Sequence, residues 1–208
     1  MTSKPSLLVF IGDLPFPARK NGISIRYFPI LEKASKEYDI DLICICDYPI
    51  EKSDIEEAKK YCKRVATFTR KQKKASFIKK ITSRAKSLLP FALPYNLLHH
   101  DQRDIELFLI DQVKDRVFDN ALCVLLKFHH LFNKHVKATK KSLDLIDSPH
   151  ATDSRKNSGG NLFNKIDLFQ LKQWEKRQIK KSHASSYISP LDRDICWKDK
   201  PTSSISII

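Results

Sequence analysis

The strongest constraint on this chain is the alternation of short apolar runs with longer stretches of helical spacing. Ser6 to Ile11 reads Ser-Leu-Leu-Val-Phe-Ile and stops at Gly12-Asp13 and a Pro-rich turn. So short and continuous a run is the pattern of a central parallel strand covered on both faces. Gly22 to Tyr38 then places Ile25, Phe28, Pro29, Leu31 and Ala34 broadly at helical spacing, with Pro29 predicting an irregular first turn. Ile40 to Cys46 is a second apolar run. Ser53 and Glu56 have the capping-box spacing that opens a helix, and Val65 to Thr69 reads as a third strand. Further strands are expected at Ala121 to Leu126, Leu143 to Ile146, Ser185 to Ser189 and Ile205 to Ile208. Helices are expected at 70–89, from about Leu97 to Arg116, at Leu162 to Lys181 and at Leu191 to Trp197. The alternation predicts an α/β class: a Rossmann-like three-layer α/β/α fold with a mainly parallel sheet of about seven strands. Ligands in such sheets bind beyond the C-terminal ends of the strands.

Composition removes several functions. The 208 residues include only four glycines, so neither a G-x-G-x-x-G nor a Walker loop is present. Five cysteines are scattered without a C-x-x-C pair. Cys44 and Cys46 alternate within an apolar run, as two side chains on one face of a strand do, and no zinc-like spacing joins them to a histidine. No metal is expected. No window approaches the roughly 18 apolar residues of a membrane span, and no signal-peptide pattern is visible, which predicts a cytoplasmic protein.

The net charge of +14 is concentrated rather than spread. From Ala58 to His100 there is no Asp or Glu, while basic residues recur throughout. Within residues 70–89, Phe77, Ile78, Ile81, Ala85, Leu88 and Leu89 form one stripe and the lysines and arginines take the rest. One reading is a membrane-surface contact through Lys73, Lys74, Phe77, Lys80, Ile81 and Arg84, with the apolar stripe in the interface and the cations toward anionic lipid. The other is a surface helix whose apolar stripe packs on the sheet.

The strand-end segments carry a family likeness. Asp13-Leu14-Pro15-Phe16-Pro17 through Asn21-Gly22-Ile23-Ser24-Ile25-Arg26 resembles the first strand-to-helix loop of family-4-type glycosyltransferases with the GT-B fold. Leu31 to Leu42 resembles the helix, charged turn and strand that follow there. Leu143-Asp144-Leu145-Ile146-Asp147-Ser148 resembles the family's D-x-x-D strand end. Glu175-x-Arg177 followed by Ser189-x-x-Asp192 resembles its E-x-R and S-x-x-D block. Many members have Gly-Gly where this chain has Asn21-Gly22. The family's Pro-Asn-Gly turn and second, donor-binding Rossmann domain do not occur within these residues.

The resemblance implies that residues 1–208 form a single N-terminal, acceptor-side domain, with 70–100 a basic helical insertion and the C-terminal donor-binding domain absent. It implies a nucleotide sugar as the complete enzyme's donor, no cofactor bound by this domain alone, and no activity without the missing domain or a partner chain. A glycan or lipid-linked acceptor is the expected partner, in cell-surface polysaccharide or lipid-linked glycan synthesis, on the inner face of a membrane.

The substrate-binding candidates are Asn21, Gly22 and Arg26. Without a Cβ, Gly22 lets a phosphate or an acceptor approach the start of a helix, whose N-terminus favours anions; it reads equally as a turn residue. Arg26 either contacts phosphate or acceptor or is solvated. The catalytic candidates are Asp147, His150 and His129, just beyond predicted strands, where a side chain can orient an acceptor hydroxyl or take its proton. Asp147 reads also as a cap fixed by Pro149, and His129 and His130 read also as solvated or capping. Glu175 and Arg177 read first as structural, on one long helix and paired with neighbouring basic residues, and Ser189 and Asp192 as the N-cap region of a short one. The competing class is a basic nucleic-acid-binding α/β protein. It accounts for the charge but not for the strand-end motifs, and the lysines lack the interleaved aromatics of a base-stacking platform.

Overall fold

The computed structural model describes residues 3–18, 21–70, 82, 84, 87, 93–95, 102–124, 126–146, 148–156, 162–187, 189–196 and 205–207. In chain order these give β1 (Ser6–Ile11), α1 (Gly22–Ala34), β2 (Asp39–Cys46), α2 (Lys52–Ala58), β3 (Arg64–Thr69), α3 (Gln102–Val113), β4 (Val117–Val124), α4 (His129–His135), β5 (Lys137–Leu145), α5 (Pro149–Lys156), α6 (Leu162–Ile179), β6 (Ala184–Tyr187), α7 (Pro190–Cys196) and β7 (Ile205–Ile207). The alternation is that of an α/β protein with a parallel sheet, as the sequence predicts. The chain divides into two compact units: Met1–Gln72, Ile105–Val124 and Leu131–Ser142 form the first, and Lys73–Asp104, Leu125–His130 and Leu143–Ile208 the second.

In the first unit the strand order is β3-β2-β1-β4. All three pairings are parallel, with Leu8 beside Asp41 and Ala121, and Cys44 beside Thr67. β1 therefore lies between two strands reached in opposite directions along the sheet, the switch point where such sheets open a crevice at their C-terminal edge. The apolar run of β1 buries Leu8, Val9, Phe10 and Ile11 completely or nearly so. Each such side chain contributes on the order of 1.5–3 kcal/mol. Phe10 stacks on Phe132 with centroids 6.2 Å apart. The start of β2 is fixed by charge: Asp41, 5% exposed, pairs with Arg116 and, at 3.7 Å, with Arg64.

In the second unit β6 pairs in parallel with the three-residue β7, and Ser186 Oγ donates to Asp144 Oδ1 at 2.9 Å. The 18-residue α6 buries Leu171, Trp174, Glu175, Gln178 and Ile179. Two polar residues thus share its inward face with apolar ones.

Several boundaries differ from the sequence reading. α1 runs through Pro29 instead of fraying before it. The hydrogen bond that proline removes is the one to the carbonyl of Ile25, a residue 59% exposed, so the loss falls on an open face. The Ser53 capping box does not form: α2 begins two residues earlier, Glu51 is its N-cap without a side-chain bond, and Ser53 Oγ meets Glu51 Oε2 at 3.4 Å. β4 starts at Val117, because Asp119, polar in mid-strand, accepts from the backbone N–H and hydroxyl of Ser6 at 2.7 Å. β5 starts at Lys137, ahead of its apolar run, its first residues being largely exposed and rich in lysine. His129 and His130 open α4 rather than ending β4. α5 is a helix the sequence reading lacks; Pro149 is its first residue and Ser148 its cap, with Ala151 N–H donating to Ser148 Oγ at 3.0 Å. Most of the 70–89 segment lies outside the described residues.

Candidate functional site

The first cluster stands at the C-terminal end of β1. Asn21 is the N-cap of α1, and its side chain accepts from Ser24 N–H at 2.8 Å while its own N–H donates to Ser24 Oγ at 2.8 Å. The side-chain amide of Asn21 donates to Asp13 Oδ2 at 2.6 Å. Asp13 Oδ1 accepts from Leu14 N–H at 2.7 Å and from the Tyr48 hydroxyl at 2.5 Å. Burial, then the Asp13 carboxylate, pushes the Tyr48 phenol above its ordinary range, so it stays a donor. The N-terminus of α1 is thereby pinned to the ends of β1 and β2 by one buried carboxylate.

Gly22 is the first residue of α1 and is exposed; no atom lies within 4 Å of the position a Cβ would take, and its φ is not positive. Nothing in the fold requires glycine there. A helix N-terminus with open space over it is the arrangement that receives an anion. Arg26 is half-buried one turn further on, with its guanidinium 5.7 Å from the Tyr27 ring centroid. Beside α1 lies a cavity of about 500 Å³ lined by Ala18, Ser24, Ile25, Phe28, Pro29 and Glu32.

The second unit holds two buried polar clusters. Glu175, fully buried, accepts from Ser148 Oγ at 3.0 Å and His150 N–H at 3.4 Å through Oε2, and from the Tyr187 hydroxyl at 2.9 Å through Oε1. A carboxylate is thus set at the N-terminus of α5, where the helix dipole favours it. It fixes the backbone on which His150 stands. The His150 ring is 8% exposed, with Nε2 3.5 Å from Ser154 Oγ. Burial, reinforced by Lys172, lowers its pKa below 6.5 and leaves it neutral at pH 7. In the second cluster His129 is fully buried, its Nδ1 3.3 Å from Gln178 Oε1 and its Nε2 3.0 Å from Ser182 Oγ. His130 Nε2 lies 2.7 Å from Gln102 Oε1.

Among the other expected site residues, Asp147 lies outside the described residues, as do Lys73, Lys74, Phe77, Lys80 and Ile81. Arg84 is described; it pairs with Asp167 at 2.5 Å and lies 4.8 Å from the Tyr95 ring centroid. Among the described residues no group of His, Cys, Asp and Glu is placed to hold a metal, and no helix is long and apolar enough to cross a membrane. Sequence reasoning missed Asp13 and Tyr48 as partners of Asn21. Asp13 was legible as a carboxylate at a strand end, but Tyr48 comes from the loop after β2 and only folding brings it in. Glu175, which the sequence pairs with neighbouring basic residues of its helix, is a buried acceptor of three donors.

No protein-family model matches the sequence, and no curated protein matches it. Among solved structures the chain is similar to the N-terminal domain of trehalose-6-phosphate phosphatase from Candida albicans, at 11% identity and a TM-score of 0.53, covering 100% of this chain and 49% of that one. It is also similar to Phytolacca americana UGT2, solved with UDP-2-fluoroglucose and pterostilbene, at 9% identity and a TM-score of 0.47, covering 100% and 54%. A third is the C-terminal domain of a hydrogenase from Pyrococcus furiosus, at 11% identity and a TM-score of 0.40, covering 68% and 94%. The chain spans about half the length of the first two. At 11% identity the likeness to the first shows the fold alone.

Proposed function

We propose that this chain is the acceptor-side half of a nucleotide-sugar-dependent glycosyltransferase of the family-4 type, acting in cell-surface polysaccharide or lipid-linked glycan synthesis. The observation that carries the reading is the capped N-terminus of α1, pinned by Asp13 and Tyr48 at the end of β1 and left open over Gly22. The strand-end motifs support it. In this account the amides that open α1 meet a phosphate of the donor or acceptor, and Arg26 adds a positive charge one turn further on. His150, held neutral, accepts a proton from a hydroxyl; His129, fully buried between Gln178 and Ser182, is left to anchor the chain where α4 begins. Asp147 remains a candidate for orienting the acceptor. The donor is held mainly by a further α/β domain, on the same polypeptide or on a partner. The basic segment around Lys73, Lys74 and Lys80 brings the enzyme to anionic lipid.

An amide NMR titration tests the reading against nucleic-acid binding. UDP or GDP is expected to shift the resonances of Asn21 to Ser24 saturably, at millimolar concentration. Random duplex DNA is expected to lose its hold at about 0.2 M salt, as mere charge attraction does. Duplex DNA held at that salt, with the α1 amides unmoved by either nucleotide, overturns it.

A further inference from the structure

We infer that the outer face of α6 is a contact surface for an anionic lipid bilayer, separate from the basic segment around Lys73, Lys74 and Lys80. It needs no sugar chemistry and stands apart from the transferase reading. Lys165, Phe169, Lys172 and Lys176 recur at i, i+4, i+7 and i+11 and so share one face of the 18-residue helix. Gln173 lies on the same face. Lys180 extends it, because its N–H still donates to the carbonyl of Lys176 at 3.2 Å. Lys165, Gln173 and Lys180 are exposed, and Lys172 and Lys176 are half-buried. Phe169, in the middle of the row, is 63% exposed. The opposite face is the one that buries Leu171, Trp174 and Gln178.

The charge of this face has one sign. Both carboxylates of α6 lie elsewhere: Asp167 pairs with Arg84, and Glu175 is fully buried. Among the described residues neither Lys165 nor Lys180 has an ion-pair partner. A row of lysines about an exposed ring complements a negative surface. Protein interfaces are depleted in lysine, and a partner helix needs several apolar anchors where this face offers one. A single strand of nucleic acid needs successive rings to stack on. A bilayer needs neither. The ring enters the headgroup boundary, and the lysines reach the lipid phosphates on their long stems. Each lysine near an anionic surface strengthens attachment roughly fivefold. Stable attachment takes two such signals, as lipid anchors do. The α6 face supplies one and the basic segment the other, so loss of either releases the chain.

The test places an indole in the row. Phe169→Trp is made in the whole chain, and its emission is read against the native protein, whose two tryptophans set the background. With vesicles of phosphatidylglycerol and phosphatidylcholine at low salt, the added emission is expected to shift to the blue. Brominated acyl chains are expected to quench it, and vesicles of phosphatidylcholine alone to leave it unchanged. Adding Lys165→Gln and Lys180→Gln is expected to weaken attachment at least about tenfold, at roughly fivefold for each lysine. The unfolding midpoint should not move, since both side chains are exposed. If Phe169→Trp lowers that midpoint, Gln173→Trp on the same face replaces it as the reporter. An emission that anionic vesicles leave in place overturns the inference. So does attachment that spares the indole from brominated chains, or that is equally strong without the two lysines. A single-stranded oligonucleotide that moves the emission when vesicles do not overturns it as well and gives the face to nucleic acid. UDP shifts at the α1 amides with no vesicle effect at position 169 sink this inference alone.

Discussion

Asp13 Oδ2 accepts the side-chain amide of Asn21 at 2.6 Å, and through that bond the end of β1 sets where α1 begins. The same carboxylate holds Tyr48, so three segments meet at one group. Tyr48→Phe is expected to cost about 1 kcal/mol, and Asp13→Asn, which turns an N–H toward existing donors, roughly 1–3 kcal/mol. The double variant should cost less than the sum, because the two changes remove one shared bond. Urea unfolding of the four proteins measures this; additive costs would show that Tyr48 and Asp13 do not act as a unit.

Glu175 makes a larger demand on stability. It is fully buried and accepts Ser148, His150 N–H and Tyr187. Glu175→Ala strands those donors and is expected to cost about 3 kcal/mol or more, with Glu175→Gln between it and the native protein. Denaturant midpoints decide it, and a cost below about 0.5 kcal/mol would be that of an ordinary surface position.

His150 gives the fold a pH dependence of known sign. Its folded pKa is depressed below 6.5, by burial first and then Lys172, so the unfolded chain takes up the proton first. Stability is full above that unfolded value and falls as pH drops below it, by up to about 1.4 kcal/mol per unit, until the folded pKa is reached. Comparing native protein with His150→Gln at pH 7.5 and about 5.5 isolates the effect. The variant should lose less stability on acidification, and equal losses would contradict the assignment.

The fold was legible where a single period rules a segment. β1 emerged with its observed ends because every residue from Leu7 to Ile11 is apolar, and β2 and β3 with their observed C-terminal ends because their runs stop at loop residues, though each starts one residue earlier, at the polar Asp39 and Arg64. α5 escaped notice because Thr152 to Lys156 are polar throughout, and its start is set by Ser148 and Pro149 rather than by an apolar stripe. The lysines that open β5 hid its first half for the same reason. At the site, Asn21 and Gly22 were visible as a loop motif before a helix. Tyr48 and Glu175 were not, since their importance lies in partners 35 and 27 residues away in sequence, Asp13 and Ser148.

The basic segment offers a test independent of the site. Flotation with vesicles containing phosphatidylglycerol is expected to carry the chain upward at low salt and to release it as ionic strength rises. Replacing Lys73, Lys74 and Lys80 by Gln should abolish the effect. Arg84 is a control of a different kind: paired with Asp167, it should matter more to stability than to lipid. No flotation at any salt would remove the membrane surface from the account.

The central claim is most directly tested by UDP binding to the native chain and to Gly22→Ala, followed at the amides of Ile23 and Ser24. A Cβ at Gly22 meets no neighbouring side chain or loop atom within 4 Å, so the folded state should be no less stable, and its stability should stay within about 1 kcal/mol of native. If a phosphate approaches the start of α1, the methyl group should weaken UDP at least tenfold. Equal affinity in the two proteins, at equal stability, would show that nothing docks over Gly22 and would contradict the account.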